Sequence, residues 1–221
     1  MFLVKMDSRA ARSRSIMGMT RMWNFNMQKE KSTFLFLLGR QFFRIMFALF
    51  YRREISGAEN IPQNSGAIIA PNHISWLDPP LTGAAMKRPL YFMAKKELFD
   101  IPVFGWAISQ TNAFPVKRGV QDMAAMRNAF SLLESGKLLL MFPEGTRSKD
   151  GHIGKARAGA GMVACNARVP LVPVKIENTD KMLKFKKIKI KFGKPIYPPE
   201  NFTKNDYTEL SQKALDAIAA M

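Results

Sequence analysis

Histidine and cysteine are almost missing from this chain, which has two of the first and one of the second in 221 residues. That scarcity removes whole classes of chemistry. A histidine- or cysteine-built metal centre needs several ligands at fixed spacing, so no metal is expected. The lone Cys165 cannot form an internal disulfide, and it points to a reducing compartment. It lies among small residues at 156–167, where packing is its simplest role. Acidic side chains are also scarce: 17 Asp and Glu stand against 34 Lys and Arg, a formal charge of +17. With 47% hydrophobic residues the chain can still bury a core, so its partners should be anionic. Nucleic acid, an anionic membrane and a phosphorylated substrate all fit that balance. No internal repeat or low-complexity tract is present.

Residues 1–28 carry five basic side chains, one acid (Asp7) and six of the fifteen methionines. They lack the apolar run of a secretory signal, and the acid-poor, Arg- and Ser-containing composition has some likeness to an organelle transit peptide. The expectation is a basic, poorly ordered tail. Residues 29–54 read as an amphipathic, membrane-associated helix. Thr33–Tyr51 would run about 28 Å as a helix. Yet Arg40 and Arg44 fall about 40° apart on the helical wheel and make one narrow polar stripe with Gln41, Thr33 and Lys29. A spanning helix would hold both arginines near the bilayer centre at about 2.5–3.5 kcal/mol each, whereas a helix lying in the interface turns the stripe toward the headgroups. A monotopic helix is therefore expected rather than a span. The competing reading packs the aromatic face on the globular core.

Residues 55–221 alternate strand and helix signals, which implies one α/β domain. After a polar connection at 52–64, a short buried strand is expected at 66–70, a helix at 121–135 stopped by Gly136, strands at 138–142 and 171–176, and a small-residue helix at 156–167. Pro173 argues for an edge or irregular position. Lys187, Lys189 and Lys191 alternate with apolar residues and give one strand a lysine face. LFDIPVFGWAI at 98–108 suits either an acyl-chain wall or plain core.

Chemistry concentrates in two strings, NHISWLD at 72–78 and FPEGTRS at 142–148. His73 and Asp78 are too far apart in azimuth to meet on one regular helix, so a turn must fold His73 back toward the carboxylate. Pro79 and Pro80 mark a helix start, and Asp78 reads as its N-cap. For an isolated His and Asp, capping and a carbonyl hydrogen bond would suffice. The second string changes the balance. It follows an apolar strand directly, and strand-end loops are where α/β folds place ligands. Glu144, Gly145, Thr146 and Arg147 offer an acceptor, an open backbone, a hydroxyl and a guanidinium fork, a set that suits a glycerol hydroxyl and a phosphate. Lys117 and Arg118 form a further cationic pair at a strand end, and His152 reads as exposed and inert.

NHISWLD, FPVKRG at 114–119, FPEGTRS and VPLVPV at 169–174, in that order, resemble the glycerolipid acyltransferase family, specifically its 1-acylglycerol-3-phosphate (lysophosphatidic acid) acyltransferases. The resemblance covers roughly residues 55–195. It implies a single αβ acyltransferase domain, a mixed sheet flanked by helices, and an N-terminal helical motif embedded in one leaflet at the cytoplasmic face of a membrane. It also implies acyl transfer from acyl-CoA or acyl carrier protein as co-substrate to lysophosphatidic acid, giving phosphatidic acid, with no cofactor and no acyl-enzyme. His73 would be the general base and Asp78 its steering carboxylate; Arg147 and Arg118, with Lys117, would hold the phosphate, and Glu144, Gly145 and Thr146 the glycerol portion. Rival readings keep the chemistry with glycerol-3-phosphate or another lysolipid, or make the chain a non-catalytic binder of anionic lipid. Nucleic acid is not expected, because the aromatics cluster with aliphatics and are not interleaved with Lys and Arg.

Overall fold

The computed structural model describes residues 53–109, 111–117, 122–148, 150–184 and 186–221, with four isolated helical positions, Leu38, Gln41, Phe42 and Ile45. Those four are exposed, and they fall in the stretch expected to form the amphipathic helix. The tail at 1–28, the rest of 29–52 including Arg40 and Arg44, and Arg118 lie outside the described residues. Among the described residues no helix is long and apolar enough to cross a membrane.

A seven-stranded sheet forms the spine. Its strands are β1 (Arg53–Ser56), β2 (Ala67–Pro71), β3 (Leu90–Lys95), β4 (Ala113–Val116), β5 (Leu138–Leu140), β6 (Leu171–Glu177) and β7 (Ile188–Phe192), in the spatial order β1-β7-β6-β2-β5-β3-β4. Every neighbouring pair is parallel except β6 and β7, so the sheet is mixed. The flanking helices are α1 (Asp78–Ala85), α2 (Pro102–Ser109), α3 (Met123–Glu134), α4 (Ala158–Ala167) and α5 (Lys204–Ala219).

Both sheet faces are covered, which is why the central strands read as unbroken apolar runs without alternation. On one face Ile69, Leu138, Leu140 and Val172 pack with Leu81 of α1 and Met86. On the other Ile68 and Leu139 pack with Leu133 of α3, Val163 and Cys165 of α4, and Leu210 of α5. Each such side chain contributes about 1.5–3 kcal/mol by leaving water. Burial of the Cys165 thiol, with some help from the charge of Asp206, also pushes its pKa up, as befits a packing residue. Helices α4 and α5 approach so closely that a Cβ on Gly161 would sit 1.9 Å from the Tyr207 carbonyl oxygen. At that contact the Gly161 N–H donates to the buried Ser211 Oγ at 2.9 Å.

The structure refines the local picture at four places. The connection at 52–64 contains β1, an edge strand whose one apolar residue, Ile55, gave no alternating signal; main-chain pairing to β7 suffices to form it. Pro173 lies on an interior strand, at an irregularity of the ladder. Val174 faces Phe192 but Leu171 faces Ile196, so the β7 side has gained a residue there, and this bulge tolerates the missing N–H. The lysine-faced strand, β7, is also interior, with Lys187 and Lys189 paired to Glu54 and Glu177 on the strands beside it. In α3 the small residues Ala125 and Ala129 face the sheet with Leu132 and Leu133, while Met123 is exposed.

Candidate active site

β2 and β5 are parallel neighbours, so the loops that leave their carboxyl ends meet. The first carries His73 and the second Glu144, Thr146 and Arg147. Three links weld them together. The Ser148 N–H donates to the His73 carbonyl at 2.8 Å, the His73 N–H donates to Glu144 Oε1 at 3.0 Å, and the His73 ring stacks on Phe142 with centroids 3.8 Å apart. Asn72 fixes the start of the first loop. Its side chain accepts from the Ile176 N–H at 2.7 Å and donates to the Ile176 carbonyl at 3.0 Å, extending the β2–β6 ladder by one rung.

Asp78 is the first helical residue of α1 and not its N-cap, a position taken by Leu77. The two prolines that follow have no N–H to offer, so the carboxylate turns backward into the loop. There Asp78 Oδ2 accepts from the Ile74 N–H at 2.7 Å, from the Ser75 N–H at 2.8 Å and from His73 Nδ1 at 2.9 Å. Oδ1 accepts from the Thr179 hydroxyl at 2.7 Å. Because a carboxylate only accepts, Nδ1 carries a proton, and in the neutral ring that assignment makes Nε2 the acceptor. Asp78 is fully buried and the His73 side chain is 12% exposed, so the ring is held from the interior and reachable from outside. Among the described residues no serine, threonine or cysteine side chain bonds to that ring.

Glu144 is 4% exposed, and both its oxygens are engaged: Oε1 by the His73 N–H and Oε2 by the Gly154 N–H at 3.0 Å. The geometry makes it a tie between the two loops. Gly145 adopts φ +69°, a left-handed turn that glycine takes without strain. Thr146 and Arg147 are exposed, and the Arg147 guanidinium lies 4.4 Å over the Trp76 ring, which joins the two loops at the surface. Lys117 is exposed after β4, two strands from β5 along the same edge. Its N–H donates to Asp122, which also caps α3 through the Ala125 N–H, and these two N–H donors, the Lys117 one first, hold the Asp122 carboxyl below its usual range. His152 is exposed, as expected, in the wall of a cavity beside the second loop.

Asn72 and Thr179 were not singled out from the sequence. Thr179 is separated from Asp78 by 101 positions and carries no local signature. Asn72 could have been found from its place in the first string, before the histidine. No cluster of His, Cys, Asp and Glu able to hold a metal ion occurs among the described residues.

The acyltransferase family model matches residues 52–177. Similar curated proteins include the 1-acyl-sn-glycerol-3-phosphate acyltransferase BAT2, chloroplastic, of Brassica napus, 35% identical over 61% of this chain and 40% of its own length. Another is the 1-acyl-sn-glycerol-3-phosphate acyltransferase of Bacillus subtilis (strain 168), 29% identical over 76% of this chain and 81% of its own. The chain thus spans about two fifths of the plant relative and four fifths of the bacterial one. Among solved structures, the 1-acyl-sn-glycerophosphate (LPA) acyltransferase, PlsC, from Thermotoga maritima superposes with a TM-score of 0.70 at 25% identity, covering 93% of this chain and 87% of that one.

Proposed function

This chain belongs to the acyltransferase family, and from that premise we propose that it moves a fatty acyl group from an acyl thioester to the free hydroxyl of 1-acylglycerol-3-phosphate, giving phosphatidic acid. The observation that carries the proposal is the His73–Asp78 pair, with Nδ1 bound to a buried carboxylate and the ring partly exposed after the carboxyl end of β2. Nε2 takes the proton of the acceptor hydroxyl as that oxygen attacks the thioester carbonyl; the tetrahedral adduct collapses, and the thiolate leaves with a proton. An acyl-enzyme is not required, because the acceptor oxygen attacks the thioester carbonyl directly. Arg147, with Lys117 and Arg118 in support, binds the acceptor phosphate. Thr146 reaches the glycerol portion, and Gly145 lets the backbone turn without a side chain in the way.

The reaction takes place at a membrane surface. In support, Val103, Phe104 and Trp106 of α2 are 80%, 47% and 58% exposed, an apolar face on a chain of formal charge +17. Those exposures also remove the plain-core reading of residues 98–108. A lipid-facing site favours a lysolipid acceptor over water-soluble glycerol-3-phosphate. The test is thiol release from an acyl thioester with lysophosphatidic acid, glycerol-3-phosphate and lysophosphatidylcholine as competing acceptors. Lysophosphatidic acid is expected to dominate; preference for either of the others would overturn the acceptor assignment.

A further inference from the structure

The chain between β5 and α4, residues 141–157, is long for a connection in a compact domain, and such loops are usually functional. It curls around an open cavity of about 600 Å³, within the range of small-molecule sites. His73 and Asp78 are not in its wall. Glu144 divides the two regions, one oxygen turned to His73 and the other to Gly154.

The electrostatics of the wall are unbalanced. Its two acids, Glu144 and Asp150, are already committed. Glu144 holds two main-chain N–H groups, and Asp150 accepts from the His152 N–H at 3.1 Å and the Ser148 hydroxyl at 2.9 Å, bonds that, in this order, hold its carboxyl below the usual range. Its three cations, Arg147, Lys155 and Arg157, pair with no carboxylate among the described residues. Arg147 lies on Trp76 and so belongs to the His73 side. Lys155 and Arg157 lie beyond Gly154. The Arg157 stem crosses Gly145 so closely that a Cβ there would meet its Cδ at 2.7 Å, and its main-chain N–H is pinned to the Pro143 carbonyl at 2.8 Å. Arg157 also immediately precedes α4, whose first residues, Ala158 and Gly159, are exposed.

We infer that Lys155 and Arg157 form a second phosphate site, for the nucleotide end of a coenzyme A thioester, so that this cavity selects the acyl donor. The inference rests on the acyl transfer proposed above. The acceptor phosphate lies two carbons from the hydroxyl delivered to His73 and is served by Arg147. The phosphates of coenzyme A lie at the far end of a long pantetheine arm, and these two cations line a cavity whose wall includes neither His73 nor Asp78. A cavity also suits a nucleotide better than an acidic carrier protein, which docks on exposed convex surface.

The test uses the full chain and a Lys155→Ala, Arg157→Ala double variant, with Lys155→Gln as a milder companion and circular dichroism to establish folding. With lysophosphatidic acid as acceptor, the double variant is expected to raise the KM for palmitoyl-CoA at least tenfold and to leave the acceptor KM unchanged. The defect is confined to donors that carry the nucleotide, so palmitoyl-pantetheine loses nothing further. Calorimetric titration with free coenzyme A is expected to give weaker binding to the variant by the same factor, independent of turnover. An equal loss with palmitoyl-pantetheine, a rise in the acceptor KM alone, or faster turnover of palmitoyl-carrier protein than of palmitoyl-CoA would each overturn it. Silence of the wild type with every donor would instead defeat the proposed reaction, while the titration would still decide the site.

Discussion

Among the described residues Asp78 takes four hydrogen bonds with two oxygens, and only Thr179 serves Oδ1. Replacing Thr179 by Val leaves that oxygen buried and bare. A hydrogen bond to a charged group is worth about 1.5–3 kcal/mol, so Thr179→Val should lower stability by that order and slow turnover, and Thr179→Ser should restore both. Chemical denaturation beside an activity assay checks this. Glu144 calls for a different readout. In Glu144→Gln an amide N–H₂ must face either the His73 or the Gly154 N–H, so the base loop shifts. The expected outcome is a fall in kcat with little change in acceptor KM; a rise in acceptor KM alone would return Glu144 to the glycerol. At this scale the sequence was partly legible. His73 and Asp78 announced themselves because a base and a carboxylate occur so rarely in this chain in such a setting. The contacts of Glu144 did not, since a carboxylate that ties two loops by accepting main-chain N–H groups looks in sequence like one that binds a substrate.

Elements were legible where burial on both faces forced continuous apolar runs, as in β2 and β5, and where a cap or glycine marked an end, as at Gly136 after α3. They were illegible where main-chain pairing alone makes the element, as in β1. The α4–α5 contact was also hidden, because its code is an absence of side chain at Gly161. Removing the hydroxyl that fills this contact tests it. Ser211→Ala leaves the Gly161 N–H buried without a partner, a cost of about 1–3 kcal/mol. Its Tm should fall while the KM values stay put, because α5 sends no side chain into the site. Unchanged Tm would mean that the N–H finds another acceptor. The apolar α2 is a poor place to probe chain length at Gly105, where a Cβ would meet the Phe99 carbonyl oxygen at 2.1 Å. Ala107, which is exposed, is the better position.

For the whole molecule, charge and shape act together. Parallel order brings the loops after β2 and β5 to one sheet edge, and Lys117 follows β4 on the same edge, so residues of three separate strings lie along it. Strand order cannot be read from local pattern, which is why sequence supplied the residues and the fold supplied their meeting. A formal charge of +17 attracts anionic bilayers, and salt screens such attraction beyond about 8 Å at physiological ionic strength. Binding to phosphatidylglycerol vesicles should therefore weaken as salt rises from about 0.05 to 0.5 M, a range that shortens the screening length severalfold. The apolar face of α2 should keep a residual fraction bound, and co-sedimentation measures both. Complete salt insensitivity would leave the charge without this role.

The central claim is that His73, steered by Asp78, removes the proton from an acceptor hydroxyl. The most direct measurement is phosphatidic acid formation from palmitoyl-CoA and lysophosphatidic acid by wild type and by His73→Ala, each folded by circular dichroism. A fall in turnover of about 10²–10⁴ is predicted for loss of a general base. Near-normal turnover by the folded variant would contradict the account.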